Sequence, residues 1–198
     1  MHQGQRNVGP FFSQTLHRIK NTTNFFILCF KSIARENKSW MSWKFEVELK
    51  VSVNENKTGF LHQSGGKKTK ENIKAVVNLL QASIIVRDID MVKFITKALF
   101  KHFPEDGGSM FTETLIFPED QEVIENLTLN CIWIREACAI HLATFWHCES
   151  LSHLIKTKPE LGNQGTCDLN IGPIHIAAAL DNILIIRLLI HFKVDVEG

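Results

Sequence analysis

The chain has 198 residues, 44% of them hydrophobic and 22% charged, a composition that excludes a disordered or fibrous protein. Its net charge of +1 hides an asymmetry: residues 1–103 carry 17 Lys/Arg against 7 Asp/Glu, and residues 104–198 carry 5 against 14. The two halves either neutralise each other or form a basic arm beside an acidic body. The five cysteines include no CxxC pair, which argues against a disulfide framework or a zinc ribbon.

Residues 1–39 are predicted to form a basic, loosely ordered leader. No acidic residue precedes Glu36, and the apolar run "FFILCF" has six residues, far fewer than the ~20 that span a bilayer. Two alternatives stay open for this leader, a mitochondrial transit peptide and an arm that touches a membrane surface. The expected compartment is the cytoplasm, with peripheral membrane contact through the basic N-terminal half.

Residues 40–66 are predicted to hold a small β element. Phe45, Val47, Leu49, Val51 and Val53 alternate with polar residues, which is the two-residue period of a strand. Residues 54–59 read as a turn, "FLHQS" as the start of a partner strand, and "GGKKTK" (65–70) as a polar loop. Trp40 and Trp43 are expected in the core, because no basic–aromatic interleaving suggests contact with nucleic acid.

The period then changes to that of helices. Residues 71–103 are predicted to form a helical hairpin, with Asp88 as the N-cap of its second helix. Residues 104–120 form an acidic connector with two turn signals. A further helix is predicted over 121–135, at the start of a region that runs from 121 to 198.

Two segments near the carboxyl end align without gaps. They are "ACAIHLATFWHCESLSHLIK" and "IGPIHIAAALDNILIIRLLI", which place His141 and His175 at corresponding positions 34 residues apart. In each segment an apolar helical pattern follows the histidine. The pattern predicts two repeats, over about 137–170 and 171–198.

These segments resemble the ankyrin repeat, a turn plus two antiparallel helices with a period of about 33 residues. "GPIHIAA" is similar to the family signature T-P-L-H-x-A, and "KVDVEG" is similar to its turn sequence. The matching residues are His141, Ala143, Pro173, His175, Ala177 and Asp195. The resemblance implies a mainly α fold, a divergent ankyrin-repeat helical solenoid preceded by a small β element and the basic leader. It also implies a protein partner bound by the stack.

The array departs from the family pattern at two kinds of position. The signature threonine is replaced at Asn78, Cys138 and Gly172, and the glycine that ends the first helix is replaced at Arg87, His147 and Asp181. Placing Gln81 at the histidine position extends the register backwards, so the hairpin over 71–103 is interpreted as a degenerate repeat.

The order of elements over residues 40–198 is also similar to the amino-terminal region of the calcium-independent phospholipase A2 family. Trp43, Gly59-Phe60, Glu122-Val123, Leu127-Thr128 and His141-Leu142-Ala143 carry this likeness. It implies that the chain is the non-catalytic portion of a larger lipid hydrolase. The alternative is a stand-alone ankyrin adaptor or scaffold protein.

No catalytic, cofactor-binding or metal-binding residues are predicted. The chain has no G-x-S-x-G, P-loop or G-x-G-x-x-G motif. Cys138, His141, His147 and Cys148 resemble a zinc set in spacing, but the repeat register would keep their side chains apart. The final helix, "ILIIRLLIHF", is apolar nearly all round. An array needs a polar outer face at its end, so we expect either a truncated array or one completed by a partner that covers this helix. Expressed alone, the chain is expected to self-associate or to bind a hydrophobic dye.

Overall fold

The computed structural model describes residues 38–54, 68–105, 107–117, 134, 136–166 and 170–195. The protein is mainly helical with a small two-stranded antiparallel sheet. After a 3-10 helix, Lys38–Ser42, strand β1 covers Lys44–Asn54 and strand β2 covers Lys68–Asn78. The register pairs Val47 with Ala75 and Phe45 with Val77. Because side chains alternate across a strand, β1 buries Val47 and Leu49 and exposes Glu46 and Glu48, as its two-residue period predicts.

The prediction of a helix from residue 71 is wrong over its first turns. Residues 71–78 belong to β2, whose start at Lys68 also lies inside the loop predicted over 65–70. Ile73, Val76 and Val77 are β-branched and suit a strand, and their spacing also fits a helix. Pairing with β1 decides between the two. The strand then runs directly into a helix, with Asn78 as both its last residue and the helix N-cap.

Three helical hairpins follow within the described residues. The first consists of α1, Leu79–Ile85, and α2, Ile89–His102. A short helix, α3, covers Ser109–Thr112. The second hairpin consists of α4, Ala139–Trp146, and α5, Cys148–Thr157, and is followed by a 3-10 helix, Pro159–Asn163. The third consists of α6, Pro173–Ala179, and α7, Ile183–His191.

The hairpins stack in chain order. Helix α1 packs against α4, α4 packs against α6, and α2 packs against α5. A contact between the Thr96 hydroxyl and Nε2 of His153, 2.7 Å apart, joins α2 to α5. The sheet packs against α1, and Trp40 meets Phe103 edge to face. One end of the stack is therefore covered by the sheet.

The segment predicted as an acidic connector over 104–120 contributes to the core. Met110, Phe111 and Leu115 are almost fully buried. Ile116 exchanges two backbone hydrogen bonds with Val76, at 2.7 and 3.1 Å, and so extends the sheet by one bridge. The apolar residues at the end of the segment therefore outweigh its charge.

Several predicted features lie outside the described residues. These are the leader up to residue 37, the turn after Asn54, the "FLHQS" partner strand, and nearly all of the helix predicted over 121–135. The small β element predicted from residue 40 begins as a strand only at Lys44, because Trp40 and Met41 belong to the 3-10 helix.

The ankyrin pattern has a glycine at the end of the first helix, and this chain has other residues there. The hairpin turns show how two of these residues take the place of glycine. Arg87 and Asp181 adopt positive φ values of 60° and 52°, the conformation that glycine adopts at little cost. At the third such position, His147, φ is −149°. That turn is a single residue, against three in each of the other hairpins, because His147 both ends α4 and caps α5.

Replacing Arg87 by glycine is expected to stabilise the protein by about 1 kcal/mol, since a left-handed residue with a side chain costs about 1–2 kcal/mol and glycine returns part of that as backbone entropy. Replacing His147 by glycine is the matched control and should destabilise, because His147 is extended and its Nδ1 lies 2.6 Å from the Ser150 hydroxyl. Urea midpoints of the two variants measure the difference. Equal destabilisation by both would show that the Arg87 conformation carries no strain.

Candidate functional site

One side chain recurs at the same place in all three hairpins. Gln81, His141 and His175 are each the third residue of the first helix. Each accepts a hydrogen bond from the backbone N–H of the N-cap residue, at 2.9 Å to Gln81 Oε1, 3.1 Å to His141 Nδ1 and 3.0 Å to His175 Nδ1. This contact fixes the start of the helix, where backbone N–H groups have no acceptor within the helix itself.

In the first two hairpins, the other end of this side chain forms a hydrogen bond with the segment that leads into the next hairpin. Gln81 Nε2 donates to the carbonyl of Glu113 at 2.6 Å, and His141 Nε2 donates to the carbonyl of Gln164 at 2.9 Å. For His175, Nε2 has no such acceptor among the described residues, and the side chain is exposed. The third hairpin thus repeats the hydrogen bond to the N-cap residue, but among the described residues it does not repeat the hydrogen bond from the other end of the side chain.

The electrostatics of His141 follow from this geometry. Nδ1 accepts from a backbone N–H and Nε2 faces a carbonyl, so the ring is neutral with its proton on Nε2. Burial lowers the pKa of His141 to about 4, against smaller opposing effects of the Gln164 and Ile171 carbonyls. His141 is therefore a structural residue, and its neutral ring keeps its single N–H proton on Nε2.

The second helices show the same contrast between inner and last hairpins. Their eighth residues are Thr96, Ile155 and Ile190. Thr96 and Ile155 are 1% and 2% exposed, and Thr96 contacts His153 of the next hairpin, whereas Ile190 is 55% exposed. At the fourth position Val92 and Leu151 are buried and Ile186 is only partly buried. The residues on the end of the stack are therefore of the type that the inner hairpins bury.

Apolar exposure continues around the last turn. Leu180, Ile183 and Leu184 flank the turn at Asp181 and are 42%, 57% and 78% exposed. Asp90 and Glu149 stand at the positions that correspond to Leu184 and are exposed charges. We call the four residues Leu180, Ile183, Leu184 and Ile190 the end patch. A monomeric protein seldom exposes several large apolar side chains together without a partner for them.

The other residues that carry the likeness to the ankyrin repeat contribute to helix packing, to a helix start or to a loop contact. Ala143 and Ala177 are buried at the fifth position of α4 and α6, where a small side chain lets neighbouring helices approach closely. Pro173 is the first residue of α6, a position that requires no N–H donor. The Asp195 backbone N–H donates to Asn163 Oδ1 at 2.8 Å, which fixes the chain beyond α7 to the preceding loop.

The cysteines and histidines near the second hairpin do not form one cluster, although Cys138 and His141 are in contact, contrary to the prediction that all four side chains lie apart. Cys138 is buried with its sulfur 3.2 Å from His141 Nδ1, whereas Cys148 is exposed on α5. His147 faces Ser150. Within the described part of the chain no group of three or more His, Cys, Asp or Glu side chains is placed to hold a metal ion.

Sequence reasoning missed a partly buried polar cluster between the sheet and the first hairpin. Asn78 caps α1 through Gln81 and donates from Nδ2 to Glu113 Oε2 at 3.0 Å, and Glu113 also pairs with Lys44. Burial lowers the pKa of Lys44. A cavity of about 380 Å³ opens beside this pair. Because Lys44 and Glu113 are 69 residues apart in sequence, only the tertiary fold brings them together, and we regard the cluster as a structural tie.

No protein-family profile matches this chain, and neither a curated protein nor a solved structure matches it. None of the described helices is both long and apolar enough to cross a membrane. The fold and the site therefore define the chain by geometry alone, as a sheet-capped stack of helical hairpins with an open apolar end.

Proposed function

We propose that the chain is a non-catalytic protein-interaction module built as a divergent ankyrin-type array, and that its partner covers the end of the third hairpin. The observation that carries the proposal is the contrast between Ile155, 2% exposed, and Ile190, 55% exposed, at corresponding positions. His175 supports it independently, since its Nε2 donor is directed at no acceptor among the described residues while its counterparts each have one.

The same contacts support a particular chemistry for the proposed partner. The inner hairpins are covered by another helical hairpin and by the carbonyl of its lead-in segment. A partner that presents an apolar helical hairpin and a free backbone carbonyl would reproduce both contacts. The sheet already covers the first hairpin, so a second copy of this chain cannot offer its own first hairpin to the end patch.

Site-specific photocrosslinking tests the proposal. A photoreactive amino acid at position 190 of the full chain, expressed in its native cell type, is expected to give one discrete adduct. The same amino acid at Glu46 is the control, because Glu46 is exposed on the sheet at the other end of the stack. An identical adduct pattern from both positions, or none from position 190, would contradict the proposal.

The likeness to the calcium-independent phospholipase A2 family gives the proposal a more specific form, in which the module belongs to a larger lipid hydrolase. His141, Leu142 and Ala143 lie in α4, and Trp43 immediately precedes β1. Gly59-Phe60, Glu122-Val123 and Leu127-Thr128 lie outside the described residues. A transcript that encodes a downstream G-x-S-x-G serine would support this form. A stop codon directly after Gly198 would favour the stand-alone adaptor.

A further inference from the structure

The outward faces of the three second helices share a charge pattern. At the fifth position stand Lys93, Ser152 and Arg187, and at the ninth stand Lys97, Lys156 and His191. The basic members are all exposed, and Lys101 continues the row one turn beyond Lys97. We call this surface the outer basic face, formed by Lys93, Lys97, Lys101, Lys156, Arg187 and His191.

Contacts between hairpins place these cations on one surface. Besides burial, the charges of Lys93 on α2 and Lys156 on α5 both lower the pKa of His153, so the two lysines flank the same imidazole. Lys156 Nζ also lies 5.8 Å from the ring centroid of Phe192, just beyond α7. The row therefore crosses all three hairpins.

Within the part of the chain that the structure describes, the lysines and the arginine on this surface have no carboxylate partner. Asp90 and Glu149 are exposed one turn toward the hairpin turns, and they offset only part of the charge. Unpaired surface cations that share one face attract an anionic partner.

Apolar side chains project from the same face. Phe100 follows Lys97 by three residues on α2 and is 45% exposed, and Leu184 precedes Arg187 by three residues on α7 and is 78% exposed. Residues three apart lie on the same side of a helix. Lysines interspersed with exposed apolar side chains match an anionic lipid surface, where the charges meet headgroups and the apolar groups enter the interface. An acidic protein would satisfy the lysines alone.

We propose that the outer basic face docks the protein on a membrane surface that contains anionic lipids, with Phe100 and Leu184 entering the headgroup region. Leu184 belongs to both surfaces, whereas the cations of the outer basic face lie outside the end patch and Ile190 lies outside the outer basic face. Substitutions at Lys97 and Lys156 therefore test the membrane contact alone, and a substitution at Ile190 tests the partner site alone.

Flotation of the full chain with vesicles tests the proposal. Vesicles of about one part phosphatidylserine to two parts phosphatidylcholine should bind the chain, and binding should fall as salt is raised. Replacing both Lys97 and Lys156 by glutamine should weaken binding roughly twentyfold or more, because each basic residue near an anionic surface contributes about a fivefold change. Leu184→Ser should weaken binding with little effect on its salt dependence.

The matched control removes two cations elsewhere, at Lys74 in β2 and Lys193 beyond α7, and should change vesicle binding less than threefold. Thermal unfolding should show that both double variants are folded, since every substituted lysine is exposed. Equal binding to pure phosphatidylcholine would overturn the proposal. So would binding to polyglutamate, with the same dependence on Lys97 and Lys156, in place of binding to vesicles.

Discussion

Replacing His141 by alanine lowers the free energy of unfolding by about 3 kcal/mol, an effect expected from its two hydrogen bonds. The substitution removes the acceptor of the Cys138 N–H and the donor to the Gln164 carbonyl. Each buried polar group left unsatisfied costs about 1–3 kcal/mol. His175→Ala is the control from the last hairpin: it loses one contact at an exposed position, and about 1 kcal/mol or less is expected. Urea unfolding measures both.

The substitution His141→Gln separates the hydrogen bonds that the side chain makes from its ability to titrate. Gln81 makes the equivalent pair of hydrogen bonds in the first hairpin, so His141→Gln should keep most of the stability at neutral pH. If glutamine proved as damaging as alanine, the equivalence of the two hairpins would be lost, and with it the main structural support for a repeat array.

The same pair of proteins tests the pH dependence. In the folded state the pKa of His141 is lowered to about 4, whereas the unfolded chain titrates near 6.5. As the pH falls below 6.5 the unfolded state takes up a proton that the folded state excludes. The contribution of His141 to the stability of the wild type therefore declines between about pH 6.5 and 4, by about 3 kcal/mol, and this contribution levels off below that. His141→Gln should lack this part of the decline. Parallel stability curves for the two proteins would show that His141 is not the group responsible.

The repeat spacing was the part of the architecture that the sequence predicted best. His141 and His175 each lie third in the first helix of a hairpin, as their 34-residue spacing predicts, and Gln81 occupies the same place. This succeeds because helix starts depend on local chemistry, namely a cap and a side chain that reaches back to it. The shorter turn at His147 could not be read from the aligned segments, since a gap-free alignment does not show where each helix ends.

Non-local pairing accounts for what sequence reasoning missed. The residues of β2 before Asn78 have spacings that fit a helix, and only their partners in β1, 14 to 32 residues earlier, define them as a strand. Glu113 is the acceptor for Gln81 and the partner of Lys44, yet it lies in a segment that reads as a polar connector. In each case the decisive neighbour is distant in sequence, and its identity depends on the finished fold.

The open end of the stack carries the second large expected effect. In isolation the chain should bind a hydrophobic dye and associate as its concentration rises, because Leu180, Ile183, Leu184 and Ile190 are exposed and burying one Leu or Ile contributes about 1.5–3 kcal/mol. Replacing both Leu184 and Ile190 by glutamate should remove most dye binding and yield a monomer. Unfolding stability should change by only about 0.5 kcal/mol, as at other surface positions.

The substitution Ile155→Glu is the control for Ile190, and the opposite effect on folding is expected from it. Ile155 stands where Ile190 stands, one hairpin earlier, and is 2% exposed. A carboxylate placed there would be buried without a partner, so Ile155→Glu should unfold the chain or raise its dye binding. Sedimentation velocity over a concentration series and dye titration measure all three proteins. A wild type that is monomeric and dye-silent would mean that the end patch is already satisfied within the chain. The proposed docking of a partner on the third hairpin would then lose its basis, because a covered surface has no apolar area left to bury.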